Sequence, residues 1–265
     1  MSTQIAAQMY TLRDHCETPS DIAKTCAKLK ALGFEAVQPA AAGFTDIAAG
    51  ELKKILDDAG LVCAATHRSL EQLQDAAAEI DYHAALGCGH AALGGWGWGG
   101  NETRDQWRGF AREFNEVAAA YEGSPLRVSY HNHSHEFAPF GWADAPDKID
   151  PELTPYTLLE AELGPAAFFE VDTYWVAHGG ADPAAWIRRL AGRVPTLHMK
   201  DLTVTGSREQ KMCEVGAGNL NWPAILEAAK EAGVKWYIVE RDSGDLDPFD
   251  SLKISLENMK SWGLG

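Results

Sequence analysis

One alternation repeats along the chain and restricts the fold more than any other feature. A short apolar or β-branched run is followed by a longer stretch with helical periodicity, eight times over. The spacing predicts strands over Ile5–Tyr10, Ala36–Pro39, Leu61–Thr66, His90–Leu93, Arg127–His131, Ala167–Val171, Thr196–Met199 and Trp236–Val239. Helices are predicted from Pro19 to Leu32, Asp46 to Ala59, Ser69 to Leu86, Thr103 to Tyr121, Leu153 to Leu163, Pro183 to Leu190, Trp222 to Ala232 and Phe249 to Trp262. Gly33, Gly60 and Gly233 stop three of them, and Pro19-Ser20-Asp21 opens the first. Strands alternating with helices form a parallel sheet, and eight of them argue for closure. An open doubly wound sheet normally has a glycine-rich phosphate loop after strand one. Here that segment reads TLRDHCETP, without glycine. The expected fold class is therefore α/β, a (β/α)8 TIM barrel, as a single domain over residues 1–265.

Composition narrows the function classes. The chain carries 23 Lys and Arg against 38 Asp and Glu, a net charge of −15, and no basic run offsets it. Such a surface repels phosphate backbones, so nucleic acid is not expected as a partner. No apolar run approaches the roughly 18–20 residues of a membrane span. The opening MSTQIAAQMYTLRD lacks the basic and apolar regions of a secretory signal. Five cysteines (Cys16, Cys26, Cys63, Cys88, Cys213) without a CxxC pair read as free thiols, and the expected location is cytoplasmic.

In such a barrel the active site lies where the strands end at their C-termini. Strand three ends in His67, strand five in His131-Asn132-His133 with His135 and Glu136 beyond, strand six in Asp172, strand seven in His198-Met199-Lys200-Asp201, and strand eight in Glu240-Arg241-Asp242. Each has a bland alternative: Asp172 in a helix cap, Lys200-Asp201 in a local ion pair, a lone His in packing. Their joint occurrence at one end favours a site. Oxygen and nitrogen donors without cysteine suit a divalent cation, Mn²⁺ foremost, with Co²⁺, Mg²⁺, Fe²⁺ or Zn²⁺ as alternatives.

The segments QMYTLRD (8–14), ATHRSL (65–70), YHNHSHEF (130–137), FFEVDTYWVAHGG (168–180), LHMKD (197–201), EVGAGN (214–219) and YIVERD (237–242) resemble the xylose-isomerase-like, or sugar phosphate isomerase/epimerase, superfamily of TIM barrels, in its YHNH subgroup. Its members include ketose epimerases, hydroxypyruvate isomerases, inosose and dehydroshikimate dehydratases and enzymes acting on 3-keto-glycosides, with endonuclease IV a distant relative. The resemblance implies metal ligands at Asp172, His198 and Glu240. Many relatives end strand five with a Glu ligand, and that place here falls on His131. Of His131 and Glu136 we expect Glu136 to complete the set, because a hard cation prefers a carboxylate.

The implied activity is isomerisation or epimerisation of a sugar or keto-sugar, by proton abstraction beside a carbonyl through an enediolate, with Glu240 or His133 as base. A lyase reaction, dehydration or 3-keto-glycoside elimination, is the alternative. Hydrolysis of a phosphoester needs more ligands than the strand ends offer, and a non-catalytic sugar-binding barrel would not need the ligand set. His67, His131, Trp98, Trp175 and Lys200 are expected to contact substrate, and His178 to line the pocket. GGWGWGGNETRDQW (94–107) presents Trp96 and Trp98 either as a wall for a sugar face or as packing. The stretch Ser134–Asp150, with Phe137, Phe140 and Trp142, reads as a lid or as a homo-oligomer contact.

Overall fold

The computed structural model describes residues 4–40, 42–141, 150 and 152–265. Its sheet is a ring of parallel strands in the order β3 (Val62–Cys63), β2 (Ala36–Gln38), β1 (Gln4–Gln8), β11 (Trp236–Val239), β8 (Thr196–Met199), β7 (Ala167–Asp172), β6 (Arg127–His131), β5 (His90–Leu93) and β4 (Thr66–Arg68). These nine pieces make eight staves, because β3 and β4 are one strand interrupted at Ala64-Ala65. β3 pairs with β2 and β4 with β5, while the Ala64 and His67 amides donate to Val37 and Pro39 across the break. The barrel is thereby nearly closed, which leaves little exposed edge.

Helices α1 (Pro19–Leu32), α2 (Ala49–Ala59), α3 (Leu70–Gln74), α4 (Ala76–Leu86), α5 (Arg104–Ala119), α6 (Pro155–Glu162), α7 (Thr173–His178), α8 (Pro183–Arg189), α9 (Trp222–Ala232) and α10 (Pro248–Ser261) surround the sheet. Local chemistry sets their ends: Ser69 and Thr103 close capping boxes with Gln72 and Gln106, and Gly33, Gly60 and Gly233 adopt left-handed caps. Each helix turns its apolar face inward, as α5 does with Trp107, Phe110, Phe114 and Val117.

The differences from the sequence reading are local. Strand one ends at Gln8, whose side chain accepts from the Tyr10 amide and starts a 3-10 turn over Met9–His15. The expected single helix from Ser69 to Leu86 breaks at Asp75, which caps α4 instead. Two elements were not expected at all: α7, and an antiparallel hairpin of β9 (Asp201–Val204) with β10 (Gln210–Cys213) at the barrel mouth. Among the described residues no helix is long and apolar enough to cross a membrane, and all five cysteines are free.

Candidate active site

The pleat decides what reaches the barrel axis. Side chains two apart on a strand share a face, so Glu170 and Asp172 of β7 both point inward. Parallel register places His198 of β8 beside Asp172, and His131 of β6 beside Glu170. The lowest layer is apolar, with Ala6, Ala36, Ala64, Ala65 and Ile238 packed together. Above it lies a buried polar layer. Gln8 donates to Gln38 at 2.8 Å, and Gln38 donates to Glu170 Oε2 at 2.9 Å. Glu170 Oε1 stands 2.6 Å from His67 Nε2 and 3.1 Å from His198 Nε2.

At the top, His198 Nδ1 faces Glu240 Oε2 at 3.0 Å, His131 Nε2 at 3.1 Å and Asp172 Oδ2 at 3.7 Å. His131, Asp172, His198 and Glu240 each offer one donor atom, all within 4.8 Å of one another. A second cluster, His67, His131, Glu170 and His198, meets the same spacing. Hydrogen bonding separates the two. In the second cluster Glu170 and His198 Nε2 are engaged by Gln38, and His67 by Glu170. In the first, Asp172 Oδ2 is buried without a hydrogen-bond partner among the described residues, although Oδ1 of the same carboxylate caps α7 by accepting from the Trp175 amide. Buried orphans of this kind are rare and costly, and a cation would satisfy this one. The upper cluster is therefore competent to hold a metal ion, and the lower one is its hydrogen-bonded floor, which holds the His198 ring in place.

Glu136 is not part of this set. Its carboxylate accepts from Tyr130 Oη at 2.7 Å and from the His133 amide at 2.9 Å, which turns it away from the barrel axis. The strand-five position it was expected to replace is filled by His131 itself.

Lys200 dominates the electrostatics. Its ammonium is buried, 3.0 Å from Glu240 Oε2, 2.7 Å from both oxygens of Asp242 and 3.6 Å from Asp172 Oδ2. Burial alone would lower its pKa, but these three carboxylates hold it above the ordinary lysine value. Burial likewise opposes ionisation of Glu240, yet Lys200 and His198 keep it well below the usual range. Asp242 shows the reverse: burial and the like charge of Glu240 push it up to about 6. Burial, then His131, drives His133 down to about 2, so its imidazole is neutral and weakly basic.

A pocket of about 310 Å³ opens over this floor, lined by His67, His131, His133, Lys200, Glu240 and Asp242, with Tyr10, Gly94 and Trp98 at its wall. A larger groove of about 390 Å³ lies against Lys28 and Phe249 and contains none of these groups. The two tryptophans divide the roles left open. Trp96 packs on Phe110 and Trp107, whereas Trp98 is 66% exposed beside His133. Gly97 makes that bend possible, since its φ is +78° and a Cβ there would come within 2.6 Å of Trp107. Trp175 packs against His133, and the Lys200 ammonium sits 5.1 Å from its ring centre. His178 is exposed, stacks on Tyr174, and does not line the pocket. Phe137 packs on Tyr156 and Trp186, so it is core rather than lid; Trp142 lies outside the described residues.

The sequence reading placed Asp242 at the end of strand eight without giving it a role, and it missed Gln8, Gln38 and Glu170. Only Glu170 left a usable signal, through its two-residue offset from Asp172.

The sequence model of a family described as xylose isomerase-like TIM barrel matches residues 26–262. Among solved structures, a sugar phosphate isomerase/epimerase from Parabacteroides distasonis ATCC 8503 matches with a TM-score of 0.78 and 23% identity, over 98% of this chain and 94% of that one. An L-ribulose 3-epimerase matches with a TM-score of 0.71 and 17% identity, over 98% and 94%. A probable 3-DHS dehydratase from Bacillus anthracis matches with a TM-score of 0.69 and 13% identity, over 97% and 98%. At these identities the likeness speaks for the fold. No curated protein matches the sequence.

Proposed function

Because the chain belongs to the xylose isomerase-like TIM-barrel family, we propose that it is a divalent-metal-dependent isomerase or epimerase of a sugar or keto-sugar, removing a proton from the carbon beside a carbonyl. The observation that carries this reading is Asp172 Oδ2, buried without a hydrogen bond among the described residues and ringed by His131 Nε2 at 3.5 Å, Lys200 Nζ at 3.6 Å and His198 Nδ1 at 3.7 Å. His131, Asp172, His198 and Glu240 are the proposed ligands. When bound, the cation supplies a Lewis acid that polarises the carbonyl and stabilises developing negative charge.

The chain's own groups supply the rest. Glu240 engages His198 and Lys200 through Oε2, and among the described residues none bonds its Oε1, which makes that oxygen the candidate base. Lys200 faces the pocket and is positioned to donate to a substrate oxygen. His133, neutral and with Nδ1 unpartnered among the described residues, lines the pocket as a hydrogen-bonding group. Trp98 offers a flat apolar wall to a sugar face.

One observation favours a lyase as the second reading. Both oxygens of Asp242 are tied to Lys200, which leaves Glu240 as the single carboxylate base at the pocket, and one base suits elimination. Elemental analysis of wild type and His198→Ala is the first test. Near-stoichiometric divalent metal in wild type, lost in the variant, is expected; no metal even after incubation with Mn²⁺, Co²⁺ and Zn²⁺ would sink the proposal. With ketoses in D₂O, deuterium uptake without a new double bond marks isomerisation or epimerisation, and an unsaturated product marks the lyase.

A further inference from the structure

The proposed donor set also selects among metals, a selection that rests on the metal-dependent reading of the site. With His131 at the end of β6, two imidazole nitrogens and two carboxylate oxygens face one another. A carboxylate in that place would leave one nitrogen and three carboxylates. We infer that the centre is built for a borderline, imidazole-loving cation, Zn²⁺ foremost and Co²⁺ next, and that His131 is the residue that turns it away from Mn²⁺ and Mg²⁺.

The donor types give the first reason. Imidazole suits Zn²⁺, Cu²⁺, Fe²⁺ and Ni²⁺, whereas carboxylate, carbonyl and water suit Mg²⁺, Ca²⁺ and Mn²⁺. Glu136 would restore an oxygen-rich set, but Tyr130 Oη and the His133 amide hold it away.

Spacing gives the second. The His198 Nδ1–Glu240 Oε2, His131 Nε2–His198 Nδ1, His131 Nε2–Asp172 Oδ2 and His198 Nδ1–Asp172 Oδ2 separations are 3.0, 3.1, 3.5 and 3.7 Å. Donors placed tetrahedrally around zinc, at about 2.0–2.1 Å from it, lie about 3.3 Å apart, inside that range.

Charge gives the third. Lys200 already stands 3.0 Å from Glu240 and 3.6 Å from Asp172. A hard cation held by oxygen ligands depends on the anionic charge that this ammonium partly cancels, while the two imidazole nitrogens are neutral donors when deprotonated. His198 is oriented for the task, because Gln38 and Glu170 occupy its Nε2 and leave Nδ1 toward the cluster.

The test titrates metal-free, full-length protein with Zn²⁺, Co²⁺, Mn²⁺ and Mg²⁺ against a competing chelator, as wild type and as His131→Glu. Every site of nitrogen and oxygen donors binds the later metals more tightly, so the diagnostic quantity is the change in the Zn²⁺-to-Mn²⁺ affinity ratio on substitution. That ratio is expected to fall by roughly tenfold or more in His131→Glu, and a smaller change overturns the inference. Visible absorption of the Co²⁺-loaded wild type gives an answer that does not depend on the variant folding. Intense bands of four-coordinate cobalt are expected, and the pale spectrum of a six-coordinate ion overturns the inference while leaving metal dependence intact. Failure of all four metals to bind wild type overturns both this inference and the proposed function.

Discussion

Glu170 stands two residues before Asp172 on β7, and its carboxylate joins His67, His198 and Gln38 beneath the proposed ligands. It faces the floor of the site, so its contribution is to fix the His198 ring and its tautomer. Glu170→Gln is expected to keep the far-ultraviolet spectrum and to weaken metal binding by roughly 10–100-fold, measured by chelator competition. Lys200→Met tests the opposite element of the same charge balance. Without the ammonium, Asp172, Glu240 and Asp242 face one another with only the His198 imidazole to offset them. The metal-free variant should lose about 3–5 kcal/mol in denaturant unfolding, with the loss largely recovered on saturation with metal. Asp172, His198, Lys200 and Glu240 were legible in the sequence because each closes an apolar run. Gln8 and Gln38 were not, and Glu170 only through its offset from Asp172, because they lie inside QIAAQ, AVQ and AFFEVD, where a polar residue looks like surface until the register around the barrel is known. Choosing between His131 and Glu136 depended on where the chain turns after β6. That turn is set by Tyr130, which Glu136 binds and whose hydroxyl also accepts from the Trp96 amide, a contact far apart in sequence.

Elements with a strong period were read to within a few residues, and those held together from outside were missed. The β9–β10 hairpin is the clearest case. QKMC is polar and short, and its pairing with DLTV is supported by the loop beyond it. Asp201 organises that loop, accepting from the amides of Leu202, Gly216, Gly218 and Leu220 and from Trp222 Nε1. Gly218 comes so close that a Cβ there would lie 2.4 Å from Asp201 Oδ1. Asp201→Ala strands these donors, and a stability loss of at least about 2–3 kcal/mol in chemical denaturation is expected. A second element, the start of β5, carries a pH dependence. Burial, then the positive charges of Arg127 and Lys235, lowers the His90 imidazole to about 4. The folded state therefore binds fewer protons there than the unfolded chain. Stability from this group is present above the ordinary histidine value and is lost as pH falls from about 6.5 toward 4. The melting temperature of wild type should fall more steeply across that window than that of His90→Gln.

For the whole molecule, the eightfold alternation was enough to predict the barrel, and what it left open was the seam at Ala64-Ala65, where one stave is made in two pieces. Closure also settles where the sulfur atoms lie. Cys16, Cys26, Cys63 and Cys88 are buried, and Cys213 is only partly covered, on the hairpin at the mouth. Burial pushes the thiols of Cys16, Cys26 and Cys213 up to about 12, so each is protonated at neutral pH and slow to react. A thiol that reacts only when its surroundings part is a timekeeper for local opening. With a chromogenic disulfide reagent under native conditions, Cys213 should modify first. Cys63 and Cys88, on the strand pieces and turn beside the seam, would then time the parting of the ring, and Cys16 and Cys26 the release of the first helix. If modification of these two pairs proceeds at separate rates, the barrel breathes in sectors; a single shared rate would mean that it comes apart only as one body.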